Sequence, residues 1–179
     1  TQKKICRTFQ NIRLFSSLSV IDNVKISFNF RIKYNLLDSI LRTPKFKKEE
    51  AEIEKKSLEL LKAFNLAEKK DEFAKNLSYG EQRRLEIVRA LAAKPSLILL
   101  DEPAAGMNPQ ETAELMELIN WIKNKFHISV LLIEHDMKLV MGICDKVVVL
   151  DYGKKIAEGT PSEIKNNPKV IEAYLGEGA

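Results

Sequence analysis

The chain has 179 residues, 45% of them hydrophobic and 30% charged, with a formal net charge of +4. This is the composition of an ordinary globular domain with a sizeable core, one that buries roughly 70% of its unfolded surface. It excludes a membrane-spanning helix, which needs ~20 consecutive apolar residues; it excludes a disulfide or zinc framework, since Cys6 and Cys144 are the only cysteines; and the small basic excess does not by itself argue for nucleic acid or lipid.

The chain begins at Thr1 without a methionine and enters a strand-like segment over residues 4–9, so its true start is expected upstream. Gln10 stands at the end of that segment. Ser16, Ser17 and Ser19 favour turns or a cap, and Asp22 with Asn23 opens a weak helical pattern running through Val24 and Ile26 toward Phe28 and Phe30. Residues 29–41 fit neither period. Residues 47–64 read as a helix, with Ile53, Leu58, Leu61 and Phe64 as its apolar stripe and glutamates early, where the helix dipole favours them. The run Lys45-Phe46-Lys47-Lys48 reads as a solvated helix start. Residues 67–76 read as a shorter helix with loops.

Leu77-Ser78-Tyr79-Gly80-Glu81-Gln82 precedes a helix over 80–93. Ser78 is a suitable N-cap, Glu81 reinforces the helix start, and Gly80 lets backbone N–H groups approach a ligand closely. The segment is either an ordinary capped helix or an anion site at a helix N-terminus. Leu85, Val88, Leu91 and Ala92 form the apolar stripe, which assigns Arg83, Arg84 and Arg89 to the rest of the helix surface. Pro95 ends it. Leu97-Ile98-Leu99-Leu100 is a continuous apolar run, as in a strand buried on both faces of a parallel sheet. Asp101 and Glu102 follow at its end, and Pro103 stops the ladder.

Asn108 caps a further helix with Pro109 at its first position; Leu115, Leu118, Ile119 and Ile122 form its stripe. Trp121 on this helix reads as packing or partly exposed surface, and His127 as a surface loop residue. A second apolar strand over 130–133 ends at Glu134-His135-Asp136. A short helix through Met137, Val140 and Met141 follows, then a third such strand over 147–150. Tyr152-Gly153 turns the chain into a short strand around Ile156, and Pro161 and Pro168 open two terminal helical pieces. The alternation of helix and strand from Gly80 onward implies an α/β fold with a parallel sheet and right-handed crossovers. Four segments result: a strand and its Gln10 loop (1–10), an inserted helical subdomain (11–79), the core (80–160) and a helical tail (161–179).

Polar residues gather at the strand ends: Asp101 and Glu102 after one, His135 after a second, Gln10 after a third. In open α/β sheets ligands bind outside the carboxyl ends of the strands. Asp is a hard oxygen ligand suited to Mg²⁺, Glu acts as a base toward water, and His donates to developing negative charge. Together they suit hydrolysis at a Mg²⁺-bound phosphate.

In this order, Gln10, Leu77-Ser78-Tyr79-Gly80-Glu81, Leu97 to Pro103 and His135 resemble the Q-loop, signature motif, Walker B strand with its glutamate, and switch histidine of the ATP-binding subunits of ABC transporters. Arg7-Thr8-Phe9-Gln10-Asn11-Ile12-Arg13-Leu14-Phe15, Ala104-Ala105-Gly106-Met107-Asn108-Pro109 and Ile171-Glu172-Ala173-Tyr174-Leu175-Gly176 are similar to the branched-chain amino acid importers within that family. The resemblance implies a P-loop NTPase-like parallel sheet flanked by helices, an ATPase using ATP and Mg²⁺, and the following roles. Asp101 holds Mg²⁺ through water; Glu102 polarises the attacking water; His135 contacts the γ-phosphate; Gln10 reaches Mg²⁺ or the water. Ser78, Tyr79, Gly80, Glu81 and Gln82 close over ATP held by a second ATP-binding subunit. The implied partners are transmembrane permease subunits, received by the segment from Asn11 through the helical subdomain, and, indirectly, a periplasmic or extracellular solute-binding protein. No nucleic acid partner is implied. The implied location is the cytoplasmic face of the cell membrane.

The sequence departs from the family pattern at three points. Tyr79 stands where the broad family has Gly, and Asn108 where many members have Asp. No Gly-x-x-x-x-Gly-Lys-Ser/Thr occurs: Gly153-Lys154 is the only Gly-Lys pair, and Val148 stands at its first glycine position. That loop cradles the phosphates of ATP, so the chain alone is expected to bind ATP poorly and the loop to lie upstream of Thr1. Two other readings follow: a non-catalytic fragment or subunit offering only its signature motif to a partner's ATP, and a DNA-repair ATPase of related design, which sustained heptads between 11 and 77 would mark and the sequence lacks.

Overall fold

The computed structural model describes residues 3–32 and 34–175. Residues 1–2 of the first predicted segment and 176–179 of the last, including Gly176 of the quoted match, lie outside them. The chain divides into two compact units, Thr1–Ala105 with Phe126–Ile133, and Gly106–Lys125 with Glu134–Ala179.

The first unit is built on a parallel sheet in the order β1 (Ile5–Arg7), β2 (Leu97–Asp101), β3 (Ser129–Ile133). Cys6 pairs with Ile98, and Asp101 with Ile133, across its two ladders. Ile98 and Leu100 enter the core, while Leu97 and Leu99 are half-buried. The expectation of strands buried on both faces fails at β3, where Leu131 and Ile133 remain 51% and 52% exposed. Leu131 and Ile133 share one face of β3, since strand side chains alternate, and that face lies uncovered among the described residues.

The helices of the first unit start where local chemistry caps them. Helix α1 (Val20–Lys25) opens on Ser19, whose hydroxyl accepts the Asp22 N–H at 3.1 Å, and its pitch tightens into a 3₁₀ turn over Ile26–Arg31. The stretch that fitted neither period contains α2 (Leu36–Ile40), held by a capping box between Asn35 and Asp38. Helix α3 (Pro44–Ala63) begins ahead of residue 47 because Thr43 caps it and Pro44 supplies the first helical position. Helix α4 (Tyr79–Ala92) packs on α1, α3 and β1, and α1 packs on α3. Val20, Val24, Leu61, Phe64, Leu66, Leu85, Ile87 and Val88 are almost wholly buried here; each such side chain contributes about 1.5–3 kcal/mol.

The second unit takes α5 (Pro109–Phe126) up to Lys125, then α6 (Met137–Ile143), β4 (Val147–Asp151), β5 (Lys154–Gly159), α7 (Pro161–Lys165) and α8 (Pro168–Leu175). The Asn108 carboxamide accepts from the N–H groups of Gln110 and Glu111 at 2.9 and 3.0 Å and starts α5. Leu115, Ile119 and Ile122 of its expected stripe are buried and Leu118 half-buried. The third apolar strand does not join the parallel sheet among the described residues; β4 pairs antiparallel with β5 instead. The cause lies in Tyr152 and Gly153, at φ 41° and 76°. Positive φ at both central residues makes the turn that matches strand twist in a tight hairpin, so the chain folds straight back. Val147, Val149, Ala157, Ile164 and Val170 form the core of this unit, with Val140, Met141, Cys144 and Ile156 packed against it.

Candidate active site

At the end of β2 the backbone leaves extended geometry abruptly. Glu102 lies at φ 42°, a left-handed conformation that costs a non-glycine residue about 1–3 kcal/mol and persists only where its surroundings over-determine it. The surroundings are visible. The Glu102 N–H donates to the Ile133 carbonyl at the end of β3 at 2.9 Å, and the Glu102 carbonyl accepts from the Ala105 N–H at 3.2 Å. Its carboxylate accepts from Gln10 Nε2 at 2.7 Å. Asp101, the preceding residue, accepts from Arg7 Nη2 at 2.8 Å through a carboxylate 20% exposed. Gln10, Asp101 and Glu102, separated by some ninety residues of chain, thus meet at the carboxyl ends of β1 and β2.

Arg83 is the residue that the sequence reading misplaced. Its helical position suggested outer surface, but its side chain is fully buried. Nη1 donates to the Phe9 carbonyl at 2.6 Å and to Glu86 Oε2 at 2.9 Å, and Nη2 donates to the Gln10 carbonyl at 2.9 Å and the Glu102 carbonyl at 3.3 Å. Glu86 in turn accepts from the N–H groups of Phe9 and Arg13. A buried charge is tolerated only when paired and hydrogen-bonded, and the planar fork of arginine meets that demand with several acceptors at once. The sequence signal was weak: a charged pair at i, i+3 on the face that also carries Ile87.

The start of α4 is a reciprocal capping box. Ser78 Oγ accepts the Glu81 N–H at 3.4 Å, and Glu81 Oε2 accepts the Ser78 N–H at 3.0 Å. Burial pushes the Glu81 carboxyl upward, but bonds from Lys69, at 2.8 Å, and from Ser78 outweigh it and hold it below the usual carboxylate range. Gln82 Nε2 returns to the Leu77 carbonyl at 3.0 Å. Tyr79 is 45% exposed and is not among the residues at positive φ, so its Cβ is accommodated without strain. Gly80 follows it in the first turn of the helix.

His135 belongs to the second unit. Its ring is 73% exposed, the His135 main-chain N–H donates to Glu134 Oε2 at 3.2 Å, and the Glu134 side chain is nearly wholly buried. Among the described residues no cluster of three or more His, Cys, Asp or Glu side chains forms a metal cage. Mg²⁺ is held by one or two protein oxygens completed by water and phosphate, and the Asp101 carboxylate and Gln10 carboxamide are donors of that kind.

The model of the ABC transporter family matches residues 1–105, and that of the branched-chain amino acid ATP-binding cassette transporters matches residues 154–179. The high-affinity branched-chain amino acid transport ATP-binding protein LivG of Escherichia coli strain K12 is 47% identical over 173 residues, 97% of this chain and 68% of LivG. The chain belongs to the ABC transporter ATP-binding subunits. BraF of Pseudomonas aeruginosa, another high-affinity branched-chain amino acid transport ATP-binding protein, is 44% identical over 98% of this chain and 69% of its own. Among solved structures, the ADP conformation of MJ1267, an ATP-binding cassette of an ABC transporter, superposes with a TM-score of 0.77 at 30% identity, covering 98% of this chain and 70% of MJ1267. The ABC subunit therefore has the P-loop NTPase-like α/β fold, of which β1–β3 form the parallel sheet.

Proposed function

We propose that this chain is the ATP-hydrolysing part of an importer of branched-chain or related amino acids. The observation that carries the reading is the Gln10–Glu102 contact of 2.7 Å at the end of β2, directly beside Asp101. A carboxylate base toward water contributes typically ~10²–10⁴-fold. Glu102 takes the proton of the attacking water, Gln10 orients the Glu102 carboxylate, and His135 donates to the γ-phosphate. Asp101 and Gln10 hold Mg²⁺, which, when bound, neutralises phosphate charge. Ser78, Tyr79, Gly80, Glu81 and Gln82 face ATP held by a second ATP-binding subunit, where the capped helix N-terminus offers N–H groups to an anion.

The organisation that fits this reading is a strand and Q-loop over 1–10, a helical subdomain over 11–79, an ATPase core over 80–160 and a helical tail over 161–179. A transmembrane permease docks on the surface after Gln10, where Ile12, Leu14 and Phe15 line a groove with Arg13 and Arg89. The location is then the cytoplasmic face of the membrane, with a solute-binding protein acting indirectly. LivG and BraF, named for branched-chain amino acid transport, support the substrate class. The 179 residues contain no Gly-x-x-x-x-Gly-Lys-Ser/Thr, so assayed alone they bind ATP weakly and do not turn it over. The test joins the chain to the P-loop segment of a relative and compares it with Glu102→Gln. Retained ATP binding with hydrolysis reduced at least a hundredfold is expected; unchanged turnover removes Glu102 from the mechanism.

A further inference from the structure

We infer that Arg83 is a positioning residue for hydrolysis: its guanidinium fixes the main chain of Gln10 and of Glu102 so that their side chains meet. The argument starts from what its bonds reach. Nη2 donates to the carbonyls of both residues, at 2.9 and 3.3 Å, while the two side chains touch at 2.7 Å. One planar group therefore sets the spacing of the two backbones whose side chains form the contact. Glu102 needs such a restraint, because its left-handed φ of 42° is not self-sustaining. Nη1 adds the Phe9 carbonyl at 2.6 Å and the Glu86 carboxylate at 2.9 Å, which keep the fork in plane. The Arg83 side chain is fully buried and that of Glu86 nearly so, so solvent does not weaken the pair.

The position on α4 gives the arrangement a direction. Ser78 caps this helix and Glu81 closes its first turn, and Arg83 lies on the next. A shift of α4 that follows the binding of ATP by Ser78 and Gly80 moves Arg83, and through it the Gln10–Glu102 contact. The signature end is thereby linked to the water-activating end within one helix. This rests on the hydrolytic role proposed for Glu102.

The experiment uses the naturally translated protein, isotope-labelled, with Arg83→Lys as the main variant. An ammonium keeps the charge but cannot span four acceptors. Expected are native circular dichroism, an unchanged KM for ATP within about twofold, and kcat lower by about 10–100-fold, the scale of an ångström-sized misplacement. The Gln10 side-chain amide resonance, assigned by its loss in Gln10→Glu, should move toward its position in Glu102→Ala. Glu86→Gln frees the fork without removing the arginine; it should shift the same resonance in the same direction by less, and serves if Arg83→Lys does not fold. A Gln10 resonance that stays in place in a folded variant overturns the proposal. So does full turnover in Arg83→Lys when Glu102→Gln has lost it. Full turnover in Glu102→Gln instead sinks the hydrolytic reading, while the resonance shift still reports the Arg83 geometry.

Discussion

Arg83 in the first unit and Glu158 in the second each centre a small ionic network, yet their surroundings are opposite. Arg83 and Glu86 meet at 2.9 Å with side chains 0% and 6% exposed. Glu158 bridges Lys146 at 2.5 Å and Lys155 at 2.7 Å, with the lysines 67% and 58% exposed. The buried network binds main-chain atoms from distant parts of the sequence. The surface one ties β5 to itself and to the residue just before β4. Ionic chemistry alone therefore says little about consequence; what each charge leaves behind when removed decides it.

The sharpest way to break this contrast is Arg83→Met. It leaves Glu86 buried without its cation and strips a donor from the carbonyls of Phe9, Gln10 and Glu102. Breaking a buried pair from one side costs about 3–5 kcal/mol, which for a chain of this size lowers the melting temperature by roughly 10 °C. Urea or thermal unfolding reads it, and a loss under about 1 kcal/mol would show the network to be dispensable to the fold. Of intermediate size is Ser78→Ala, which removes the cap of α4 without touching Arg83. About 1 kcal/mol of stability should be lost, and amide exchange should quicken in the first turn of α4 before anywhere else.

The smallest effect belongs to the surface network and is read by pH. Lys146 first, and then Lys155, lower the Glu158 carboxyl from 4.5 to about 2. A depressed folded value means that its contribution is complete above pH 4.5 and disappears as the pH falls from there to about 2. Carboxyl carbon NMR should give a Glu158 midpoint near 2, and Lys146→Met should carry it back toward 4.5. A midpoint that ignores Lys146→Met would detach the shift from this pair.

These two networks also mark what the sequence could tell. Features decided within a few residues were legible. Ser78 and Asn108 cap the helices they precede, the apolar runs at 97–100 and 130–133 are neighbouring parallel strands, and Asp101 and Glu102 stand at the end of β2; Gln10 lies three residues past β1, which is shorter than the 4–9 expected. Arg83 was not legible, because its partners at Phe9 and Gln10 lie 74 and 73 residues away and helical periodicity carries no such information. The third strand failed differently. The turn at Tyr152 and Gly153 was visible, but the apolar run before it outweighed the geometric consequence of that turn, an antiparallel hairpin. A continuous apolar run does not say which face of its strand is covered, so the exposed face of β3 was missed as well.

That strand governs how the chain behaves in a test tube. Among the described residues β3 is hydrogen-bonded on one side only, with Leu131 and Ile133 half uncovered beside the open ladder. An unpaired strand with apolar side chains is a template for other chains. At the concentrations used for spectroscopy, preparations of these 179 residues should therefore scatter light increasingly with time. Replacing Leu131 with lysine, a charge on an open edge, should keep them clear.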